Sequence, residues 1–528
     1  MDDKPTEKFD VVIVGMGPVG AAIANLLGKS GLSTLVIEKS LEIYAAPRAI
    51  ALDNEALRIL QMCGLEEGEL DTVPIPEVRM LSPRFGMFAR SITTGSLNGH
   101  PRLVTFFQPQ LEALLRKRAA QFPCVEIRTG VELVDFSEVG DGVRLTLSRG
   151  NAEFDHVHCK YLVGADGANS FVRRHLRLGF EGKTYTEDWL VVDAKRVSQP
   201  IGHIEFYCDP GRPSPRMIAP GGRQRWEFKL KPTEDRQEME RPERVYELLR
   251  PWIGESNPEI ERVAVYRFHA RVVDRFRVGR AFLAGDAAHI TPPFVGQGLV
   301  SGLRDAANLA WKLERAVAGQ AGEQLLDSYD LERRPHVKAM VSLARFMGAL
   351  VMPRNRMTAW LTHSAILLAN RVPRLRQAFE RQEMKPTQRF RSGCFESMKG
   401  RAHLVAGSPF PQTWLRSQRT SKVLLSDDFL GNGFSIVGFG IDPTVDLPRE
   451  MLEWWRSIGA KFLQIDPSPG LDQSRADDLC LDITGLLIPA IVPIGWLTIL
   501  RPDRVVLMEG SAGRAEHLLQ AARACLSR

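Results

Sequence analysis

The cysteines of this chain form no pairing pattern. Seven are scattered over 528 residues (63, 124, 159, 208, 394, 480 and 525), with no Cys-x-x-Cys and no Cys/His cluster. An odd, scattered set excludes a disulfide framework and a zinc site. No metal is expected, and the pattern suits reduced thiols in a cytoplasmic enzyme. A long uninterrupted apolar run is also missing. The longest candidate, Ile483 to Leu500, is broken by Gly485, Pro489, Pro493 and Gly495, so two buried strands around a turn are expected there rather than a membrane span. There is no Lys/Arg block. A net charge of +6 with 25% charged residues describes a solvated mixed-charge surface, and no nucleic-acid partner is expected. The polar stretch Met1 to Lys8 has no apolar segment, so no secretory signal is expected. No internal repeat or low-complexity segment is visible. What remains is an ordinary globular composition, 44% hydrophobic, over a length that implies two to four domains.

The most informative stretch is the first sixty residues. Asp10 to Val14 is a short β-branched run that reads as a buried parallel strand. It runs into Gly15-Met16-Gly17-Pro18-Val19-Gly20, a helical stretch from Ala21 to Ser30, a second apolar run from Thr34 to Ile37, and then Glu38. Strand, Gly-x-Gly-x-x-Gly, helix, strand and acid is the fingerprint of a dinucleotide-binding unit. Gly15 allows the tight turn, Gly17 lets the backbone approach a pyrophosphate, and Gly20 lets helix and strand pack closely. Free N–H groups at the helix start favour the anionic phosphate, and Glu38 can accept hydrogen bonds from a ribose. The fingerprint alone does not separate FAD from NAD.

Further along, Pro47-Arg48-Ala49-Ile50 precedes a helix from Asn54 to Met62, and Arg48 is either a surface charge or a residue reaching the cofactor. Short antiparallel strands are expected between 73 and 106, then a helix from Gln108 to Ala120. Val125–Arg128, Val131–Phe136 and Val143–Leu147 read as a three-stranded meander with Asp141-Gly142 as a hairpin turn. Two further buried strands end in acids. Tyr161 to Gly164 leads into Ala165-Asp166-Gly167, followed by Ser170, Arg173 and Arg174 on a short helix. Ala281 to Ala284 leads into Gly285-Asp286-Ala287-Ala288-His289, then Pro293-Phe294-Val295-Gly296-Gln297-Gly298 and an amphipathic helix from Leu299 to Ala318. Each aspartate is either a cap or a ligand at the sheet rim where such folds bind. Between these motifs, residues 186–270 read as a mostly antiparallel sheet with a helix near 243–249. Residues 327–385 read as helical, and the region beyond 400 as a mixed α/β unit.

These motifs resemble the FAD-dependent aromatic-ring hydroxylases, the single-component (class A) flavoprotein monooxygenases. Supporting local text includes Pro47 to Ile50, Phe180 to Thr184, Val191-Val192-Asp193, Cys208-Asp209-Pro210, Arg304 to Leu313 and Arg501-Pro502-Asp503. The resemblance covers almost the whole chain. It implies an α/β fold with a Rossmann-like FAD-binding domain in two parts (1–185 and 271–345) and an inserted antiparallel-sheet substrate domain (186–270). A helical linker or oligomer segment (346–399) and a thioredoxin-like C-terminal domain (400–528) complete it. Without Cys-x-x-Cys, that last domain is expected to be structural or oligomeric rather than redox-active.

The resemblance also implies roles. Gly15, Gly17, Pro18, Val19 and Gly20 would hold the FAD pyrophosphate, with Glu38 and Lys39 toward the adenosine ribose. Arg48 would lie beside the flavin, Gln108 near the ribityl chain or phosphates, Asp166 and Gly167 in indirect contact with a dinucleotide, and Gly285 and Asp286 at the ribityl hydroxyls. Pro293, Gly296, Gln297, Gly298 and Leu299 would face the flavin edge. Phe206, Trp226, Phe228, Pro293 and Phe294 are candidate pocket walls, although period-2 alternation lets only half of each strand face a pocket. Arg48, His203 and Tyr207 are the candidate catalytic residues. His203 and Tyr207 either relay a phenol proton or are structural, and His289 is expected to pack or cap. NADH or NADPH would act as transient reductant and O2 as co-substrate, oxygen being delivered in that family as a flavin C4a-hydroperoxide. The substrate would be a phenolic aromatic acid resembling 3-(3-hydroxyphenyl)propionate, and a homodimer is the candidate assembly. The competing readings are an epoxidase or Baeyer–Villiger-type enzyme on a polycyclic aromatic, and a flavin-binding protein without turnover.

Overall fold

The structure, a computed structural model, describes residues 7–150, 154–254, 256–381, 383–397, 402–469 and 474–527; Met1 to Thr6 of the polar N-terminal stretch lie outside these. The first strand, Glu7–Val14, sits at the centre of an eight-stranded sheet, parallel to Thr34–Glu38 on one side and Phe154–Gly164 on the other. Its apolar run is fully buried at Val11, Val12 and Ile13, because helices cover both faces of such a sheet. Ala281–Leu283 adds parallel to Phe154–Gly164. The three acid- or glycine-terminated strands therefore end side by side at one rim.

Val125–Thr129 is not part of a meander; it pairs parallel with Thr34–Glu38 as the sheet edge. The meander is Glu132–Val139, Gly142–Ser148 and Phe154–Gly164. The helix Gln108–Ala119 leads into Val125–Thr129, which pairs with Thr34–Glu38 and not with Leu103–Phe106, the strand before the helix.

The second eight-stranded sheet runs in the order His289–Ile290, Glu259–Val273, Phe180–Lys195, Arg223–Lys229, Ser214–Ala219, Ile204–Tyr207, Glu77–Ser82, Gly86–Ile92. It is wider than the 186–270 span, since Glu77–Ser82 joins it parallel to Ile204–Tyr207. The helix Pro242–Ile253 covers one face, burying Leu190, Val192, Trp226, Phe228, Val245 and Leu249 together. The opposite face looks toward the first sheet.

The helices Glu323–Val351, Arg356–Ala369 and Pro373–Glu380 follow. The C-terminal unit places Asp478–Asp482, Lys461–Asp466 and Ser435–Phe439 parallel, with Trp496–Leu500 and Val506–Ser511 antiparallel beside them. Arg449–Ser457, through Trp455, and the closing helix Ala515–Leu526 pack on Phe434, Ile436 and Phe462. A β-α-β unit followed by β-β-α is the thioredoxin-like arrangement. Ile483 to Leu500 holds only one strand, Trp496–Leu500. The preceding segment is gathered into turns by Asp482, whose carboxylate accepts from the backbone N–H groups of Thr484, Gly485, Leu487 and Ile488. Among the described residues no helix is long and apolar enough to cross a membrane.

Buried charges fix this unit to the rest. Arg501 grips Glu332 with two bonds of 2.7 and 2.9 Å, and Lys312 Nζ lies 2.9 Å from the same carboxylate. Burial alone would raise Glu332, but Arg501 and Lys312 outweigh it and hold the carboxyl far below its usual range. Burial pulls Lys312 down to about 8 against the opposing pull of Glu332.

Candidate active site

The glycine loop is fixed by backbone sterics. Gly15 has φ +97°, and a Cβ there would lie 2.5 Å from the Ala165 carbonyl oxygen; at Gly20 it would lie 2.0 Å from the Gly15 carbonyl oxygen. Neither position accepts a side chain. Gly17 has open space around it and precedes the helix Pro18–Lys29, whose first N–H groups have no intrahelical acceptor. Glu38 braces the loop, accepting from Met16 N at 2.8 Å and Ser40 N at 2.9 Å. Lys39 is exposed beside it.

The second and third motifs close around the same point. Asp166 accepts from Phe171 N (2.7 Å) and Val172 N (3.1 Å), while its Oδ1 is buried without a protein partner. Arg173 joins the two motifs by donating to the carbonyls of Ala168 and Ala287. His289 is completely buried, its Nε2 2.6 Å from Asp305 Oδ2 and its ring stacked on Phe276. It does not line the cavity between the two sheets. The helix Gly298–Val317 begins against the glycine loop, where a Cβ on Gly302 would lie 2.5 Å from Val19 Cγ2.

A cavity of about 760 Å³ opens between the two sheets. Gly17, Pro18, Val19, Arg48, Gln108, Gly167, Asp286, Pro293, Phe294, Gly296, Gln297, Gly298 and Leu299 line it. Gly15, Gly20, Glu38, Lys39, Asp166 and Gly285 are not among the lining residues. Arg48 sits in a loop clamped from both sides. Gln108 Oε1 accepts from the backbone N–H groups of Arg48 (3.0 Å) and Ala49 (2.7 Å), and Arg225 donates to the carbonyls of Pro47 and Arg48. Asp286 has no hydrogen bond among the described residues, and burial pushes its carboxyl up against the pull of Arg48 and His289.

These features fit FAD. The approachable backbone at Gly17, the helix start at Gly298 and the partnerless oxygens of Asp286 and Asp166 are acceptors and donors for a diphosphate, a flavin edge and polyol hydroxyls.

The sheet wall differs from the expectation. Ile204, Phe206, Met217 and Glu227 line the cavity; His203, Tyr207, Trp226 and Phe228 do not. His203 pairs with Glu205 at 3.2 Å, and Tyr207 meets Trp252 edge-on at 5.4 Å, both off the cavity. Trp226 and Phe228 belong to the core under the helix Pro242–Ile253. Alternation decides this: the helix needs the apolar parity of the strand, so the cavity receives the other one. Phe294 forms the opposing wall, held edge-on by Trp189, Phe268 and Tyr185 at about 6 Å.

Sequence reasoning misses a buried charge cluster at the cavity edge. Asp53 caps the helix Asn54–Met62 through Ala56 N and receives Gln297 Nε2 at 3.0 Å, Arg304 at 3.3 Å and Lys385 Nζ at 2.7 Å. Glu55 holds the same two cations. Burial would raise Asp53, but Lys385 and Arg304 outweigh it and keep the carboxylate ionised. Lys385 thereby draws the 383–387 segment over the cavity, beside Met340, Met347 and Phe379. The one signal that could have pointed to it is local, an Asp directly before a helix, the place of a cap.

The FAD binding domain model matches residues 8–344, and the HcaD C-terminal domain model matches residues 407–525. A 3-(3-hydroxy-phenyl)propionate/3-hydroxycinnamic acid hydroxylase of Klebsiella pneumoniae is 38% identical over 459 residues, covering 87% of this chain and 83% of that protein. One from a Mycobacterium species is 36% identical over 526 residues, covering 97% and 91%. The flavin-dependent monooxygenase PieE, solved with FAD and substrate, superposes with a TM-score of 0.80 at 22% identity over 99% of this chain and all of that one. Aklavinone-11 hydroxylase, solved with FAD and aklavinone, gives 0.75 at 22% identity over the full length of both. The chain belongs to the FAD-dependent aromatic hydroxylases, the class A flavoprotein monooxygenases.

Proposed function

We propose that the protein hydroxylates a phenolic aromatic acid of the 3-(3-hydroxyphenyl)propionate kind, using FAD, NADH or NADPH, and O2. The observation that carries this reading is the continuity of one cavity from the glycine loop and Asp286 to Phe206, Met217 and Glu227 under the second sheet. Relatives at 36–38% identity are hydroxylases of that substrate class, and they do not favour the epoxidase, Baeyer–Villiger or non-catalytic readings.

When bound, FAD supplies the electron transfer from the nicotinamide and the activation of O2 that no side chain can supply. The chain does the rest. Ile50, Val78, Met80, Leu103, Phe206 and Met217 give an apolar bed that excludes water and orients a ring. Arg48, Arg102 and Arg381 supply positive charge on the lining for an acid substrate's carboxylate. Arg48 thus has a positioning role, while His203 and Tyr207, off the cavity, have structural ones.

Residues 1–185 with 271–345 serve FAD, 186–270 the substrate, 346–399 assembly and 400–528 structural support, in a cytoplasmic protein. The exposed apolar side chains Met357, Trp360, Leu361, Leu368, Val372 and Leu375 suit a homodimer contact through 346–399. Sedimentation of wild type against a Trp360→Glu, Leu368→Glu variant tests the dimer.

The function is tested by anaerobic stopped-flow reduction by NADH and NADPH, with and without 3-(3-hydroxyphenyl)propionate and a panel of phenolic acids and bicyclic phenols. Acceleration of reduction by one phenolic acid supports the reading. Reduction indifferent to every aromatic counts against it.

A further inference from the structure

We propose that Glu227 is the general base that accepts the phenolic proton of the substrate; this rests on the hydroxylase reading above. Glu227 lies on the strand Arg223–Lys229 between Trp226 and Phe228. Those two aromatics are buried under the helix Pro242–Ile253, so the intervening side chain emerges on the other face, among Ile204, Phe206 and Met217 on the cavity wall. Its residue is only 8% exposed, and its carboxyl makes no hydrogen bond among the described residues.

A buried carboxyl without a partner is costly unless something else uses it. The other ionisable side chains on the cavity lining are already engaged or chemically unsuited. Asp53, Glu55 and Lys385 neutralise one another. Asp286 belongs to the glycine-loop end, and Glu383 is exposed on the covering segment. The guanidiniums of Arg48, Arg102 and Arg381 have no lone pair to offer. That leaves Glu227 as the buried acceptor on the substrate sheet.

Its surroundings suit the task. Arg225, on the same strand, is held by Asp193 at 2.7 and 3.0 Å and by the carbonyls of Pro47 and Arg48. Arg262, from Glu259–Val273, reaches the same Asp193 at 3.2 Å. Burial raises the Glu227 carboxyl above its ordinary value, with Arg225 and Arg262 opposing and Asp193 adding to the rise. A base strengthened in this way is better matched to a phenol. In the step, the phenol O–H bond breaks and a carboxyl O–H bond forms. The bonding electron pair stays on the phenolate oxygen and enriches the ring toward oxygen attack. The negative charge moves from carboxylate to phenolate, so the pocket's net charge is unchanged.

The test compares holoenzyme wild type, Glu227→Gln and Glu227→Asp with 3-(3-hydroxyphenyl)propionate as probe. It reads the ultraviolet phenolate band of the bound probe, its Kd, kcat and the pH profile of kcat. Wild type should show the bound phenolate at a pH where the free phenol is protonated, and kcat should fall as pH drops through the raised carboxyl value. In Glu227→Gln the phenolate band and the acid limb should vanish and kcat should fall about 100-fold, with Kd changed less than about threefold. Glu227→Asp should recover part of kcat and keep an acid limb, which decides the matter if the amide variant does not fold. A wild type without an acid limb, a Glu227→Gln enzyme with the band and kcat intact, or an aspartate variant lacking the limb overturns the inference. A wild type that hydroxylates no phenol overturns the functional reading instead, and this inference with it.

Discussion

The two walls of the cavity are built by different means. The nucleotide wall is backbone: a glycine turn, two helix starts and strand ends, held where a Cβ would strike a carbonyl oxygen at 2.0 to 2.5 Å. The sheet wall is side chain: Ile204, Phe206, Met217 and Glu227 project from strands whose backbone is spent on pairing. A backbone site tolerates few substitutions but serves any chain that binds the same cofactor. A side-chain wall can be respecified residue by residue on an unchanged sheet. The difference teaches where identity and specificity reside: the first wall says FAD, and the second chooses the ring.

Substitutions rank along this contrast. Gly20→Val should abolish FAD retention, because the Gly15 carbonyl leaves no room; flavin absorbance of the purified protein checks it. Asp53→Ala comes next. It removes a helix cap and leaves Arg304 and Lys385 partly unpaired, a loss on the order of 3–5 kcal/mol, measurable by urea denaturation. The same residue gives a pH signature. Asp53 is held below its ordinary value, so its contribution is present above the unfolded carboxylate value and is lost as pH falls. Wild-type stability should decline below about pH 4, and Asp53→Asn less steeply. On the sheet wall, Phe206→Ala should lower kcat/KM for the best phenolic acid by about tenfold while FAD binding stays intact, an effect of 1–3 kcal/mol. Smallest is Tyr207→Phe. With its ring against Trp252 and off the cavity, it should change kcat/KM less than about twofold, within the range of neutral surface changes. A large loss there would return the relay role to Tyr207 and break the distinction between the two strand faces.

The same contrast explains what the sequence reveals. The nucleotide wall is legible because its determinants are consecutive: Gly15 to Gly20 lie in one turn, and Glu38 closes on Met16 only 22 residues away. The sheet wall is half legible. The strands read correctly, but Gln224 to Lys229 offers two parities, and only the helix Pro242–Ile253 decides that Trp226 and Phe228 go to the core. The Asp53–Lys385 contact spans 332 residues and has no local trace. In the C-terminal unit, Trp414–Ser417 holds Arg and Ser and Asp478–Asp482 has an acid at each end, so neither shows the continuous apolar run that marks Thr34 to Ile37. The Val125–Thr129 strand is found, yet its partner is mistaken, since a strand's own residues do not state which neighbour it pairs with.

The most direct test of the account is turnover under isotopically labelled O2 with 3-(3-hydroxyphenyl)propionate and related phenolic acids, followed by mass spectrometry of the product. The account predicts FAD-dependent, NAD(P)H-driven formation of a product carrying one labelled oxygen atom on the ring. Unlabelled product, or NAD(P)H oxidation that no phenolic acid stimulates, would contradict it.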